Sequence, residues 1–163
     1  MEIFSICPLS FYIPMLLYFC RMKVKCKQTT SQGFDLKEVT DVLSNDFDYN
    51  VGGWGIELDS EYLVMGMAVF KDTNCLYYLI DVQGKPFWYP YLLFNVSDNS
   101  LPQNWFLKVI HKKEDSDFFL LWGFYELCNE QDYCDKLMDR DEPALMTYFK
   151  RKIELEKELS GKD

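Results

Sequence analysis

From Glu61 to Trp122 the chain is a succession of short β-branched and aromatic segments set apart by turn residues, and from Tyr125 onward the spacing turns helical. A chain written this way builds antiparallel strands first and lays helices on them afterwards. Residues 61–70 are apolar and β-prone and predict one long strand. Asp72-Thr73-Asn74 turns it into a second strand over 75–81, and Gln83-Gly84-Lys85-Pro86 turns that into shorter strands over 87–90 and 92–94. Two further strands, over 105–111 and 118–122, flank the polar turn at 112–117. The expected architecture is α+β: an antiparallel β-meander, a partly open barrel, followed by two C-terminal helices. In the second helix Leu145, Phe149 and Ile153, spaced i, i+4 and i+8, define the face expected to pack on the core.

A length of 163 residues suits one domain, and a hydrophobic fraction of 48% is enough to give it a core. The formal net charge is -9, which sets the chain against phosphate backbones and anionic lipid, so nucleic acid is not an expected partner. The six cysteines form no C-x-x-C and no zinc-finger spacing with a histidine. Cys26 and Cys75 fall in apolar, strand-like runs where a reduced thiol serves as a small core residue, and this predicts a reducing, cytoplasmic setting. Asn95-Val96-Ser97 matches a glycosylation acceptor, a pattern too frequent by chance to alter that expectation.

Residues 3–20 carry no charge and are followed by Arg21, Lys23, Lys25 and Lys27, a pattern compatible with a membrane anchor or a secretion signal. Against both stand Glu2 in place of a basic start, helix-interrupting Pro8 and Pro14, and the lack of a small-residue cleavage site. A third reading makes residues 1–21 an over-extended start, with Met22 opening the domain, and a fourth packs the segment on that domain. The alternation of residues 22–27 predicts an edge strand whose lysines discourage further pairing. The domain division is accordingly 1–21, an apolar leader or over-extended start, and 22–163, a single α+β domain. Ahead of the strands, Leu36, Val39 and Leu43 share one face of a short helix expected over 35–44.

The order Leu63-Val64-Met65-Gly66, Tyr77-Tyr78-Leu79-Ile80-Asp81, Trp88-Tyr89-Pro90 and Leu93-Phe94-Asn95-Val96 resembles small SH3-like β-barrel proteins of bacteria and phages. The resemblance covers about a quarter of the chain and speaks to fold more than to activity. It implies an SH3-like barrel and, by analogy, a peptide-binding accessory module using Trp88 and Tyr89. The chain departs from the pattern at Ser60, where such proteins usually carry glycine before the long strand, and in its helices after Trp122.

Motifs for covalent or phosphate chemistry are missing: the chain holds no G-x-S-x-G, no phosphate-binding G-x-x-x-x-G-K-[ST], no G-x-G-x-x-G and no H-E-x-x-H. Its one histidine, His111, stands at a predicted strand end beside Lys112 and Lys113 without a local nucleophile. Gly52-Gly53-Trp54-Gly55 lacks the lysine and helix of a phosphate cradle and predicts a turn. Asp46, Asp48, Asn50 and Glu57 occupy positions 1, 3, 5 and 12 of a calcium loop, but Val51 replaces the turning glycine at position 6. The plainer reading is an Asx-rich loop that satisfies its own backbone. No cofactor and no metal are expected, and no enzyme.

Charge is where the sequence is least random. Between Glu114 and Glu142 ten acidic side chains face only Lys136 and Arg140, so nearly the whole net charge sits in this stretch. Asp132, Asp135 and Asp139, at i, i+3 and i+7, predict one acidic helix face, with Tyr133, Cys134 and Leu137 opposite. Glu130, Tyr125 and Tyr133 add acid and aromatic surface beside it. Two function classes follow. In one, the chain is a non-catalytic acidic protein-binding protein of immunity or antitoxin type, covering a basic, toxin-like partner. In the other, an SH3-like module grips a peptide through Trp88 and Tyr89. A solvated face that only confers solubility is the competing account of the acids.

Overall fold

The computed structural model describes residues 21–30, 53–71, 74–111 and 116–157. The leader over 1–20, the helix expected over 35–44 and the candidate calcium ligands Asp46, Asp48 and Asn50 lie outside the described residues. Glu57, the last of that set, sits exposed a few residues ahead of Glu61, where its N–H donates to the Tyr62 hydroxyl.

Antiparallel strands form two sheets, and helices follow them in the chain, as an α+β protein requires. One sheet has the order β2-β1-β6, from Glu61–Leu63, Met22–Cys26 and Phe94–Asn99. The other has the order β5-β4-β3-β8-β7, from Lys85–Pro90, Leu76–Val82, Gly66–Phe70, Phe118–Gly123 and Phe106–Val109. Three helices end the chain: α1 (Tyr125–Asn129), α2 (Tyr133–Met138) and α3 (Glu142–Lys157).

The five-stranded sheet is covered on both faces. Along β4, Tyr77 and Leu79 pack toward the helices while Tyr78 and Ile80 pack toward the three-stranded sheet, and on β5 Trp88 and Tyr89 divide the same way. This double burial is why β3 and β4 read as continuous apolar runs instead of alternating ones. The layers are therefore sheet, sheet and helices, with one apolar cluster in each gap.

Several expectations are corrected. The long strand over 61–70 is two strands. Val64 N–H donates to Met22 O in one sheet and Met65 N–H to Leu79 O in the other, so the chain changes sheets across two fully buried residues. The segment over 92–94 is largely a 3-10 turn at Tyr91–Leu93, which carries the chain back. These two crossings separate what reads as one meander, and the sheets do not close on each other. Residues 22–26 form the central strand of their sheet, not an edge; their buried Met22, Val24 and Cys26 supply the core while the lysines face outward.

The two expected C-terminal helices are three. Glu130 is extended and Asp132 is left-handed at φ 57°, so the polar run Asn129–Asp132 breaks the helix after one turn. In α3 the buried residues are Ala144, Tyr148 and Leu155; Leu145 and Phe149 flank that face, and Ile153 is exposed. Asp141 caps α3 by accepting from the Ala144 N–H at 3.2 Å. The helix is then clamped on both sides, by Arg151 forked onto Glu126 of α1 and by Lys152 on Asp81 of β4 at 2.6 Å.

No helix among the described residues is long and apolar enough to cross a membrane.

Candidate partner-binding site

The β7–β8 hairpin presents its far end to the link between α1 and α2, and the two enclose an open groove with a volume of about 560 Å³. Its base is apolar, with Ile110, Phe118, Leu121 and Leu127 all buried. Among the described residues four acids line it: Asp117 just ahead of β8, Glu130 and Asp132 from the helix link, and Asp135 from α2. Among the described residues, Lys108 is the one cationic side chain on its wall.

The local chain explains the crowding. Left-handed Asp132 bends the backbone so that Tyr133 enters the core beneath the groove, and its hydroxyl donates to Ala144 O at 2.9 Å. One helical turn of α2 then lifts Asp135 onto the outer face. Partial burial, and next the charges of Asp117, Asp132 and Asp139, push the Asp135 carboxyl above its ordinary value. Such a site favours an approaching cation, because a positive group reverses the repulsion that the carboxylates impose on one another.

Of the residues expected to meet a partner, Glu130, Asp132, Asp135 and Tyr133 share this groove. Asp139 is exposed at the end of α2, close enough to act on Asp135. Tyr125 lies on the other side of α1, 51% exposed, edge-on to Phe106 at 5.3 Å and beside a smaller cleft of about 210 Å³. The aromatic half of the expected surface is otherwise corrected. Tyr133 is buried, Trp88 lies in the core under the helices with its indole N–H on Cys134 Sγ, and Tyr89 lies between the sheets. Alternation along β5 sends the last two to opposite faces, and both faces are covered.

Sequence reasoning missed Asp117 and Lys108 as members of the site. Asp117 lies just ahead of β8, and it meets Asp135 where α1 and α2 fold back beside the sheet. His111 is exposed just beyond β7 and is not part of the groove wall. Among the described residues no set of three His, Cys, Asp or Glu side chains is placed to hold a metal ion. The four described cysteines are buried free thiols; burial raises Cys128 to about 11 and Cys134 to about 12, which keeps both protonated.

No protein-family model, curated protein or solved structure matches the chain.

Proposed function

We propose that this chain is a non-catalytic, acidic protein-binding protein of the immunity or antitoxin kind, which neutralises a basic, toxin-like partner by covering it. The observation that carries the reading is the groove itself: among the described residues, four carboxylates and one lysine over an apolar base, with the Asp135 carboxyl raised first by partial burial and then by its acidic neighbours. Rim carboxylates of this sort accelerate encounter with a basic surface and make the association sensitive to salt. The SH3-like resemblance is carried by short segments from Leu63 to Val96, and with Trp88 and Tyr89 buried it offers a peptide no aromatic grip there.

The test replaces Asp132, Asp135 and Asp139 together with Asn and follows association with the product of the adjacent reading frame at several salt concentrations. The expected result is an association rate lowered by about tenfold at low salt and a flattened salt dependence. An unchanged rate at every salt concentration would reduce the acids to a solubilising face.

A further inference from the structure

Four strand edges among the described residues end the two sheets, and three carry features that discourage a further strand. β2 is only three residues long. β6 is polar at Asn95, Asp98 and Asn99 and its register with β1 shifts at Lys23/Val24. β5 holds Pro86 and Pro90, which have no N–H to offer. β7, four residues long with Lys108 on its groove face, has neither a proline nor a break in register. It exposes all four residues, Phe106 at 43%, Leu107 at 56% and Val109 at 62% among them.

The phase of the ladder shows which backbone groups face outward. Ile110 N–H donates to Phe119 O at 2.8 Å, and antiparallel pairs alternate between bonded and non-bonded, so Lys108 and Phe106 also bond toward β8. The N–H and C=O of Leu107 and Val109 therefore point to the open edge. Their side chains share the face of Leu120 and Trp122, which are only partly buried. Lys108 and Ile110 share the opposite face and line the acidic groove.

From this arrangement we infer that β7 is a docking edge for an extended segment of a basic partner protein, which adds as a sixth strand to the five-stranded sheet. The inference deepens the proposed function and rests on it for the sign of the partner's charge. Strand alternation fixes the segment's pattern: apolar residues opposite Leu107 and Val109, and lysine or arginine on the other face, flanking the position opposite Lys108 and turned to the side where Asp117, Asp132 and Asp135 line the groove. Backbone pairing supplies affinity, and the groove selects charge.

The probe is a short, end-blocked peptide of alternating valine and lysine, compared with the same peptide N-methylated at alternate positions so that one backbone edge cannot donate. Binding is measured on the full chain by fluorescence anisotropy, in low and high salt. The expected result is a loss of about tenfold or more on N-methylation at constant charge, since each edge hydrogen bond contributes modestly and several go together. Chain with Asp117, Asp132 and Asp135 changed to Asn should bind the unmethylated peptide more weakly and with less salt sensitivity, while retaining the N-methylation effect. Equal affinity for both peptides overturns strand addition and leaves the acidic surface standing. A methylation effect that survives with no dependence on salt or on the three acids keeps the edge and overturns the basic partner. Sedimentation showing a dimer without peptide would assign the edge to a second copy of the chain and overturn the inference.

Discussion

The indole N–H of Trp88 on β5 donates to the thiol sulfur of Cys134 on α2 at 3.4 Å, inside the core and 46 positions apart in the chain. The bond explains why a buried tryptophan is tolerated there: its one donor has a partner, and a soft sulfur acceptor fills the space without bringing in charge. Cys134, raised to about 12 chiefly by burial, stays a thiol through the ordinary pH range. Cys134→Ala leaves the indole donor buried and unmatched and should cost about 1–3 kcal/mol in urea unfolding. Native protein should also react with a thiol reagent only as fast as it unfolds. Rapid modification of Cys134 under native conditions would contradict its placement.

Two tyrosines a helix apart should respond in opposite senses to loss of the hydroxyl. Tyr133 donates to Ala144 O, whereas the Tyr148 hydroxyl is fully buried with no hydrogen-bond partner among the described residues. Tyr133→Phe removes a satisfied bond and should destabilise by about 1 kcal/mol. Tyr148→Phe removes an unsatisfied polar atom and should be neutral or stabilising, by up to about 1 kcal/mol. Denaturant midpoints decide it; a Tyr148→Phe change as costly as Tyr133→Phe would mean that the hydroxyl has found a partner.

How far the sequence discloses this arrangement depends on the range of the interaction. Local signals hold: turn residues after β4 place the β4–β5 hairpin, and Tyr133, Cys134 and Leu137 are buried opposite exposed Asp135 and Asp139 as their spacing implies. What fails depends on contacts remote in the chain. Nothing in residues 61–70 marks Val64 and Met65 as the point where the strand leaves one sheet for the other, because both halves are apolar. Trp88 and Tyr89 look like exposed aromatics until the sheet is seen to be covered twice. The acidic site is half legible for the same reason: Asp132 and Asp135 are near neighbours in the chain, while Asp117 joins them only where the helices fold back beside β8.

Gly66 and Gly123 face each other across β3 and β8, and Leu127 of α1 rests on the pair. A Cβ on Gly66 would come within 2.5 Å of Leu127 Cδ2, and one on Gly123 within 2.7 Å of it and 3.1 Å of Met65 O. The absent side chains are what let a one-turn helix seat against the sheet and close the groove base. Gly123→Ala should therefore destabilise by about 1–3 kcal/mol through overpacking. Combining it with Leu127→Ala, which alone leaves a cavity costing about 2–5 kcal/mol, should recover part of the loss. Simple additivity in the double variant would show that the clash is not with Leu127.

The acid response of stability should separate two carboxylates shifted in opposite directions. Glu126 lies below its ordinary value, first because Arg151 hydrogen-bonds it and next against the opposing effect of burial. Its stabilising contribution is complete above the unfolded carboxyl pKa of about 4.3 and is lost as pH falls through its lower folded value. Asp135 lies above its ordinary value, from partial burial and then from Asp117, Asp132 and Asp139. Its ionised form opposes folding at neutral pH, and that penalty disappears as pH falls through the raised value toward about 3.9. Asp135→Asn should stabilise the protein slightly at pH 7, by about 0.5 kcal/mol or less as an exposed substitution, and its advantage should vanish on acidification. Glu126→Gln should do the reverse, losing stability at pH 7 and converging with the wild type at low pH, where the carboxyl is already protonated. Urea midpoints measured from pH 7 down to pH 3 on the three proteins give the result directly. Parallel curves for the wild type and Asp135→Asn would show that the groove carboxylates do not repel one another, and the case for a cation-seeking site would fall with them.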